Sequence, residues 1–164
     1  MITAEELREL LNYDSRTGEF SWRVKTNRKF AGFQPGRKAG CLHGQGYIVL
    51  SVRKRQYQAH RLAWLHYYGE WPSDQIDHIN CCRSDNRIEN LRVATNVQNN
   101  ANRMIAPKNK ARFKGVRFKN GKWEAYIWIG HRSIYLGRFD TPEEAHASYY
   151  KAAQDEWGEF ARAG

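Results

Sequence analysis

Residues 77–99 read DHINCCRSDNRIENLRVATNVQN, and this stretch decides how the chain is organised. It places a carboxylate, Asp77, directly beside an imidazole, His78, and follows them with a turn rich in asparagine. Thr95 and Gln98 stand at the spacing of a capping box, which predicts that a short helix begins there. Phosphodiester hydrolysis needs a metal held by oxygen ligands and a base whose pKa lies near neutrality. Asp77, His78 and the asparagines supply groups of both kinds.

Each of these features has an ordinary structural explanation when it is taken alone. An Asp-His pair is usually a surface or structural feature, and stretches rich in Asn and Asp are usually turns. The ordered combination over residues 77–99 favours a functional site instead. If Val97, Ala101 and Met104 form the buried face of the predicted helix, Asn99 points away from that face and is available to a ligand.

The order Asp-His-Ile-Asn, then Asp-Asn-Arg-Ile-x-Asn-Leu-Arg, then an Asn-rich helix resembles the HNH endonucleases of phages and group I introns, whose site is a ββα-metal finger. By position, His78 corresponds to the first residue of that motif, Asn90 to the middle residue and Asn99 to the last. The resemblance implies that His78 deprotonates water and that Asn90 holds the loop that orients it. It also implies that Asp77 and Asn99 hold one Mg²⁺ ion, for which Mn²⁺ would substitute. The expected products are a 5′ phosphate and a 3′ hydroxyl.

Two parts of this site stay open in the sequence. Asn96, Asn100 and Asn102 lie near Asn99, so a helix that begins one residue differently would present another amide to the ion. His60-Arg61-Leu62 also precedes the motif in the resembling phage enzymes. His60 either reaches the active site or only supports it.

The composition indicates a polyanionic partner and a reducing compartment. The formal charge of the 164 residues is +10, and a chain of this sign most often binds nucleic acid. The three cysteines, Cys41, Cys81 and Cys82, have neither zinc-ligand spacing nor the pattern of a disulfide framework. No apolar run approaches the roughly 20 residues of a membrane span, and the acidic N-terminus does not resemble a signal peptide. A cytoplasmic protein is therefore expected.

Hydrophobic periodicity predicts helices and strands in the first half of the chain. A capping box at Thr3 and Glu6 predicts a helix over residues 3–12, and Gly69 is expected to end a second helix. The long segment 25–46, rich in Gly, Lys and Arg, is expected to be a loop. The predicted elements are a helix at 3–12, strands at 19–23, 47–52 and 56–58, and a helix at 60–68.

The composition changes after Asn102. Residues 103–138 carry ten basic side chains against one acid, Glu124, whereas residues 139–164 carry six acids. Three segments of strand character follow one another, with an Asn120-Gly121 hairpin turn between the first two. Thr141, with Pro at the next position and Glu at the third, predicts a capped helix that packs on the sheet through Ala145, Tyr149 and Ala152.

The motifs Gly-Val-Arg, Tyr-Leu-Gly-x-Phe and Thr-Pro-Glu-Glu-Ala, in that order over about residues 112–161, resemble the APETALA-type DNA-binding domain of plant ethylene-response factors, which phage HNH nucleases also carry. In that family the sheet lies in the major groove of DNA. Tyr126 and Trp128 stand where plant domains show Glu and Arg, and Tyr135 replaces a tryptophan, so base preference does not transfer. The residues expected to bind DNA are Arg112, Lys114, Arg117, Lys119, Tyr126, Trp128, Arg132 and Tyr135.

The sequence thus predicts an α+β protein with an HNH nuclease domain of the ββα-metal type at 1–101, a linker at 102–111, and a three-stranded antiparallel sheet packed on one helix at 112–164. The expected activity is that of a metal-dependent, homing-type DNA endonuclease acting on double-stranded DNA, with no obligate protein partner. A non-catalytic DNA-binding regulator and an RNA-directed nuclease are the alternatives. The target sequence, the oligomeric state and the choice between nicking and double-strand cleavage stay open.

Overall fold

The structure is a computed structural model that describes residues 1–24, 34–105, 111–130 and 132–163. Backbone contacts divide the chain into two compact units, Met1–Thr95 and Asn96–Gly164. Among the described residues, no helix is long and apolar enough to cross a membrane. The helices and strands are α1 (Ala4–Leu10), β1 (Leu11–Asp14), β2 (Glu19–Trp22), β3 (Lys38–Ala39), β4 (Cys41–Leu42), β5 (Ile48–Val52), β6 (Arg55–Gln58), α2 (Ala59–Tyr68), β7 (Gln75–His78), β8 (Leu91–Ala94), α3 (Asn96–Asn102), β9 (Val116–Lys119), β10 (Lys122–Ile129), β11 (Arg132–Phe139) and α4 (Pro142–Trp157).

The first helix has the predicted cap but ends earlier than predicted. Thr3 and Glu6 exchange hydrogen bonds between side chain and backbone at 3.1 and 3.2 Å, which is the expected capping box. The helix stops at Leu10, because Leu11 takes an extended conformation and pairs with Trp22 as the first residue of β1. The prediction that the helix reaches Asn12 was therefore wrong, although Leu11 is fully buried as expected of a core residue.

The predicted loop at 25–46 contains two short strands. Residues 25–33 of this segment lie outside the residues that the structure describes. β3 pairs antiparallel with β2, and β4 pairs antiparallel with β5. Gly40 joins the two strands at φ +98°, and a Cβ there would lie 2.8 Å from Cγ2 of Ile48. The loop prediction was wrong for β3 and β4, because each has only two residues and is defined by its pairing with another strand rather than by a sequence pattern.

A hairpin and a helix lead into the central stretch. β5 and β6 pair antiparallel across a turn in which Arg53 and Lys54 both have positive φ. α2 follows directly and ends at Gly69, which is in the left-handed conformation and donates its N–H to the carbonyl of Leu65. These predicted elements are confirmed. The core of the first unit lies between α1, α2 and the strands, with Leu7, Leu50, Leu62, Leu65 and Ile76 among its buried residues.

The second unit contains the predicted three-stranded sheet and its helix. β10 is the central strand and pairs antiparallel with β9 and with β11. The Asn120-Gly121 turn has positive φ at both residues, as a hairpin turn of this sequence requires. Thr141 and Glu144 form the predicted capping box of α4. Ala145 and Tyr149 are buried as predicted, but Ala153, rather than the half-buried Ala152, completes the buried stripe.

The helix α3 differs from its predicted packing. Val97 and Met104 are exposed, whereas Ala101 and Asn102 are buried, so the predicted apolar face was wrong for two of its three members. Met104 cannot belong to a helical face because α3 ends at Asn102. α3 lies in the second unit, whereas the sequence placed it in the first domain. Residues 106–110 of the predicted linker lie outside the described residues.

Candidate functional site

Asp77 and His78 are the last two residues of β7 in the first unit. β7 pairs antiparallel with β8, and the register sets Asp77 opposite Arg92 and His78 opposite Leu91. Ile76, one residue earlier, is part of the hydrophobic core and anchors the strand. Only 4% of Asp77 and 5% of His78 is exposed. The carboxylate and the imidazole are therefore held rigidly, at the point where the chain leaves the strand for the asparagine-rich loop.

The imidazole of His78 is oriented by an asparagine that sequence reasoning did not single out. Nε2 of His78 lies 3.2 Å from Oδ1 of Asn86, which is itself 2% exposed. The Asn86 amide donates through Nδ2 to the carbonyl of Ser84, which leaves its oxygen facing the ring. Because an amide oxygen only accepts hydrogen bonds, this contact places the proton of neutral His78 on Nε2 and makes Nδ1 the basic nitrogen.

Burial keeps His78 neutral. The pKa of His78 is lowered from the ordinary histidine value chiefly by burial, and the hydrogen bond that the ring donates to Asn86 opposes that shift. A histidine whose pKa is lowered is uncharged at neutral pH and can accept a proton. The packing around the His78 ring therefore favours the neutral imidazole that a general base requires.

Two further rings pack around His78. The ring of His60, on α2, meets the ring of His78 edge to face with centroids 5.0 Å apart, and Tyr47 lies 5.3 Å from His60 and 6.1 Å from His78. Burial, followed by the nearby His78, lowers the pKa of His60 to about 3. Nδ1 of His60 is buried and has no hydrogen-bond partner among the described residues. His60 therefore reaches the predicted base by direct ring contact.

Asn90 holds the loop between β7 and β8 closed. Its Nδ2 donates to the carbonyl of Asp85 at 2.8 Å and to Oδ1 of Asn80 at 3.0 Å, and its Oδ1 accepts from the Asn80 N–H at 3.0 Å. The Asp85 carboxylate also accepts two hydrogen bonds from the Arg87 guanidinium, which hold its pKa at about 2. This is the geometry expected of a residue that fixes the loop around the base, although its contribution to catalysis stays a prediction.

The turn between β1 and β2 supports the same loop. The hydroxyl of Tyr13 donates to the carbonyl of Asn86 at 2.7 Å. Gly18 packs so closely that a Cβ there would lie 2.5 Å from the backbone nitrogen of Arg87. In the sequence, Asn86 is one of several asparagines in the stretch 77–99, and nothing in the pattern distinguishes it from the others. Only the folded loop shows which asparagine meets His78.

Asp77 forms a buried ion pair with Arg92. Nε of Arg92 donates to Oδ2 of Asp77 at 2.9 Å, and the two side chains are 12% and 5% exposed. The described residues contain no cluster of three or more His, Cys, Asp or Glu side chains arranged for a metal. A buried carboxylate is a hard, anionic oxygen donor, so its chemistry fits a divalent ion such as Mg²⁺. Asn99 lies half-buried on α3 in the second unit, and its part in a metal site stays a prediction.

The open face of the sheet in the second unit carries the predicted aromatic and basic residues. Arg117 lies over the ring of Tyr126, 4.2 Å from its centroid, and donates through Nε to Glu124 at 2.9 Å. The hydroxyl of Tyr126 donates to the same carboxylate at 2.9 Å. Trp128 is 67% exposed and Tyr135 is 52% exposed, so neither is a core residue. This face combines a fixed guanidinium with two exposed rings.

The remaining predicted DNA contacts are placed differently. The ammonium of Lys114 donates to the backbone carbonyls of Ala101 and Arg162, which favours a structural role for this lysine. Arg132 pairs with Ile129 across the hairpin, and alternation sets that pair on the face opposite Trp128. Arg112 and Lys119 are exposed. The binding roles of all four stay predictions.

Comparison with known proteins finds matches of two kinds. Residues 57–101 match the model of a family described as HNH endonuclease. The AP2-like ethylene-responsive transcription factor TOE2 of Arabidopsis thaliana is 40% identical over 50 residues, which cover 29% of this chain and 10% of that protein. The AP2/ERF and B3 domain-containing transcription factor At1g51120, also from Arabidopsis thaliana, is 46% identical over 46 residues, covering 27% of this chain and 13% of that protein. APETALA2-like protein 2 of Oryza sativa subsp. indica is 40% identical over 45 residues, covering 26% and 10%. The chain therefore spans only about a tenth of the length of these curated relatives.

Proposed function

We propose that this protein is a metal-dependent DNA endonuclease of the HNH type that hydrolyses phosphodiester bonds to a 5′ phosphate and a 3′ hydroxyl. The family match at 57–101 supports a nuclease-type function and contains Asp77, His78, Asn90 and Asn99. The observation that carries the proposal is the neutral imidazole of His78, fixed beside the carboxylate of Asp77 at the end of β7. The most specific part of the proposal is a homing-type, phage-encoded role, and the sequence resemblance alone supports it.

His78 acts as the general base. Its basic Nδ1 takes a proton from the attacking water, while the Nε2–H stays hydrogen-bonded to Asn86. Asn86 stabilises the imidazolium that forms, because its amide oxygen accepts from the ring in both protonation states. Asn90 keeps the loop closed so that the ring cannot rotate away from the scissile bond. A base positioned in this way contributes on the order of a hundred- to ten-thousandfold to the rate.

Asp77 would hold one divalent ion, Mg²⁺ or in its place Mn²⁺, and the sequence resemblance alone assigns Asn99 as a further ligand. Such an ion supplies Lewis-acid stabilisation of the phosphate and of the leaving 3′ oxygen. Asp77 is suited to this task because its carboxylate is buried and fixed in the β7–β8 pair.

Double-stranded DNA is the proposed substrate, and the sheet of the second unit is the proposed recognition surface. Arg117, fixed against Tyr126 and Glu124, would donate to base edges, while Trp128 and Tyr135 would pack on sugars or bases. The net charge of +10 supports attraction to the phosphate backbone. The resemblance to APETALA-type transcription factors favours binding in the major groove.

Plasmid cleavage tests the proposal. Supercoiled plasmid incubated with the protein and Mg²⁺ should be nicked or linearised, and chelation of the ion should stop the reaction. His78→Ala should lower the rate at least a hundredfold. His43→Ala, which changes an exposed histidine of the same unit, is the matched control and should cut normally. The nicked product should be sealed by a DNA ligase, because ligation requires a 5′ phosphate and a 3′ hydroxyl.

A DNA-binding regulator without nuclease activity is the second candidate. Two of the curated relatives are named as transcription factors, which favours a regulator's role for the second unit. A gel-shift assay separates the two candidates when it is run beside the cleavage assay. If the wild-type protein shifts duplex DNA but cuts it in none of Mg²⁺, Mn²⁺ or Ca²⁺, the endonuclease proposal fails. Competition by duplex RNA would likewise expose an RNA-directed nuclease.

A further inference from the structure

The ion pair between Asp77 and Arg92 occupies the carboxylate to which the proposed function assigns a metal. The two residues face each other directly across the β7–β8 pair, and Nε of Arg92 lies 2.9 Å from Oδ2 of Asp77. Their side chains are 5% and 12% exposed. Water therefore screens this contact far less than it screens the ion pairs on the surface of the same unit.

Burial explains why the carboxylate has a cationic partner. An ionised carboxylate removed from water is strongly destabilising unless it is paired or hydrogen-bonded. Arg92 supplies both the charge and the hydrogen bond. The guanidinium is suited to a buried pair because it stays protonated and is weakly hydrated.

The same guanidinium opposes any second cation at Asp77. An ion bound to this carboxylate would lie within a few ångströms of Arg92, and like charges repel strongly at that distance in a poorly screened environment. The divalent ion and the arginine thus compete for one carboxylate. Arg92 stabilises the fold and weakens metal binding by the same interaction.

We propose that Arg92 is a positioning residue that serves as the counter-ion of Asp77 and thereby sets the affinity of this carboxylate for a divalent ion. The proposal rests on the proposed function in taking Asp77 as a metal ligand. It goes beyond that function in assigning a role to Arg92 and in predicting effects of opposite sign on stability and on ion affinity. A purely structural ion pair would affect stability alone.

Mn²⁺ binding to full-length Arg92→Gln tests the proposal without any DNA. Glutamine keeps a hydrogen-bond donor beside Asp77 and removes the charge. In EDTA, the melting temperature of R92Q should lie several degrees below that of the wild type. When MnCl₂ is added, the melting temperature should rise more for R92Q than for the wild type. The Kd for Mn²⁺, measured by electron paramagnetic resonance of the free ion, should become on the order of tenfold tighter.

Three variants act as controls. Arg53→Gln breaks the exposed pair between Arg53 and Glu6 and should change neither the Kd nor the response to MnCl₂. Arg92→Lys keeps the charge and should keep the weak, wild-type affinity. Asp77→Asn should abolish binding in both the wild-type and the R92Q background, which ties the ion to this carboxylate.

Each result decides the proposal. Unchanged or weaker Mn²⁺ binding by R92Q overturns it, even if the wild type cuts DNA and the proposed function stands. If R92Q does not fold in EDTA, circular dichroism should show that Mn²⁺ restores its fold, and failure to restore it also overturns the proposal. If neither protein binds Mn²⁺ and plasmid stays uncut, the proposed function fails together with the metal ligand on which Arg92 acts.

Discussion

The buried imidazole of His60 lowers the free energy of unfolding by an amount that can be measured. Its Nδ1 is buried and has no hydrogen-bond partner among the described residues, and a buried unsatisfied polar atom costs about 1–3 kcal/mol of folding free energy. Replacing it by an apolar ring of similar shape removes that cost. His60→Phe should therefore unfold in urea at an equal or higher midpoint than the wild type, whereas His60→Ala, which leaves a cavity, should unfold at a lower one.

The same variant should change how stability depends on pH. The pKa of His60 is about 3 in the folded protein, against 6.5 for an ordinary histidine, so the unfolded chain binds one more proton between these values. Its contribution to stability is complete above pH 6.5 and is lost as pH falls, by about 1.4 kcal/mol per unit. His60→Phe should lose less stability than the wild type between pH 6.5 and 4. His43→Ala, at an exposed histidine, should follow the wild-type curve, and a parallel curve for His60→Phe would contradict the burial of His60.

Asn86 should matter to catalysis through His78 rather than through the substrate. Asn86→Ala removes the oxygen that accepts from Nε2 of His78 and should lower kcat for plasmid cleavage by roughly ten- to a hundredfold, with little change in KM. Asn86→Asp keeps an oxygen at that position and should recover most of the rate. A loss confined to KM, or equal losses in both variants, would show that Asn86 does not orient the base.

The chemistry of the site could be predicted from the sequence at the scale of single residues, but the pairing of its members could not. His78 stands beside Asp77 in the chain, so their proximity needed no tertiary information. Asn86, Asn90 and Asn99 are alike in type, and only the closed loop between β7 and β8 distinguishes the one that touches the ring from the one that holds the loop. The pairing of Arg92 with Asp77 could not be predicted from the sequence, because the register of β7 and β8 is set by long-range packing.

At the scale of elements, the packing of α4 on the sheet makes Gly115 a sensitive position. A Cβ at Gly115 would lie 2.1 Å from the ring of Tyr149 and 2.5 Å from the carbonyl oxygen of Tyr126. Gly121 is the matched control, since its φ is also positive, +76° against +66°, but a Cβ there would meet nothing within 4 Å. Both alanine variants incur about 1–2 kcal/mol for the left-handed conformation.

Gly115→Ala should therefore destabilise the protein by several kcal/mol more than Gly121→Ala, because helix and sheet must separate to admit the methyl group. Urea unfolding followed by tryptophan fluorescence measures the difference, since Trp123 and Trp157 lie in the second unit. Equal midpoints for the two variants would mean that α4 does not pack against the start of β9 as closely as the structure has it.

Elements with local signals were predictable, and short strands that are defined only by their pairing were not. The capping boxes at Thr3 and Thr141 and the Asn120-Gly121 turn act through neighbouring residues, and all three are present in the structure. β3 and β4 have only two residues each. β3 forms by pairing with β2, and β4 forms by pairing with β5. No periodicity can be read in two residues, so a segment rich in Gly and Lys was expected to be a loop throughout.

At the scale of the whole molecule, the sequence predicts the class of binding partner better than it predicts which side chains contact that partner. The net charge of +10 and the basic composition of residues 103–138 need no fold to indicate a polyanion. The fold decides which of the basic side chains remain available to a polyanion. Lys114 and Lys119 are close in sequence and were expected to act alike, yet the ammonium of Lys114 is directed to two backbone carbonyls inside the second unit, whereas Lys119 is exposed.

Salt dependence of DNA binding separates these two lysines. Each phosphate contact releases counterions, so its loss should reduce the slope of log K against log salt by about 0.9. Lys119→Gln should reduce the slope by about that amount and leave the melting temperature unchanged. Lys114→Gln should leave the slope unchanged and lower the melting temperature, because it removes hydrogen bonds to the carbonyls of Ala101 and Arg162. Binding isotherms on one duplex at several salt concentrations measure both slopes. The reverse assignment would mean that the ammonium of Lys114 leaves its carbonyl partners to contact DNA, and that the lysine at the sheet edge does not face the duplex.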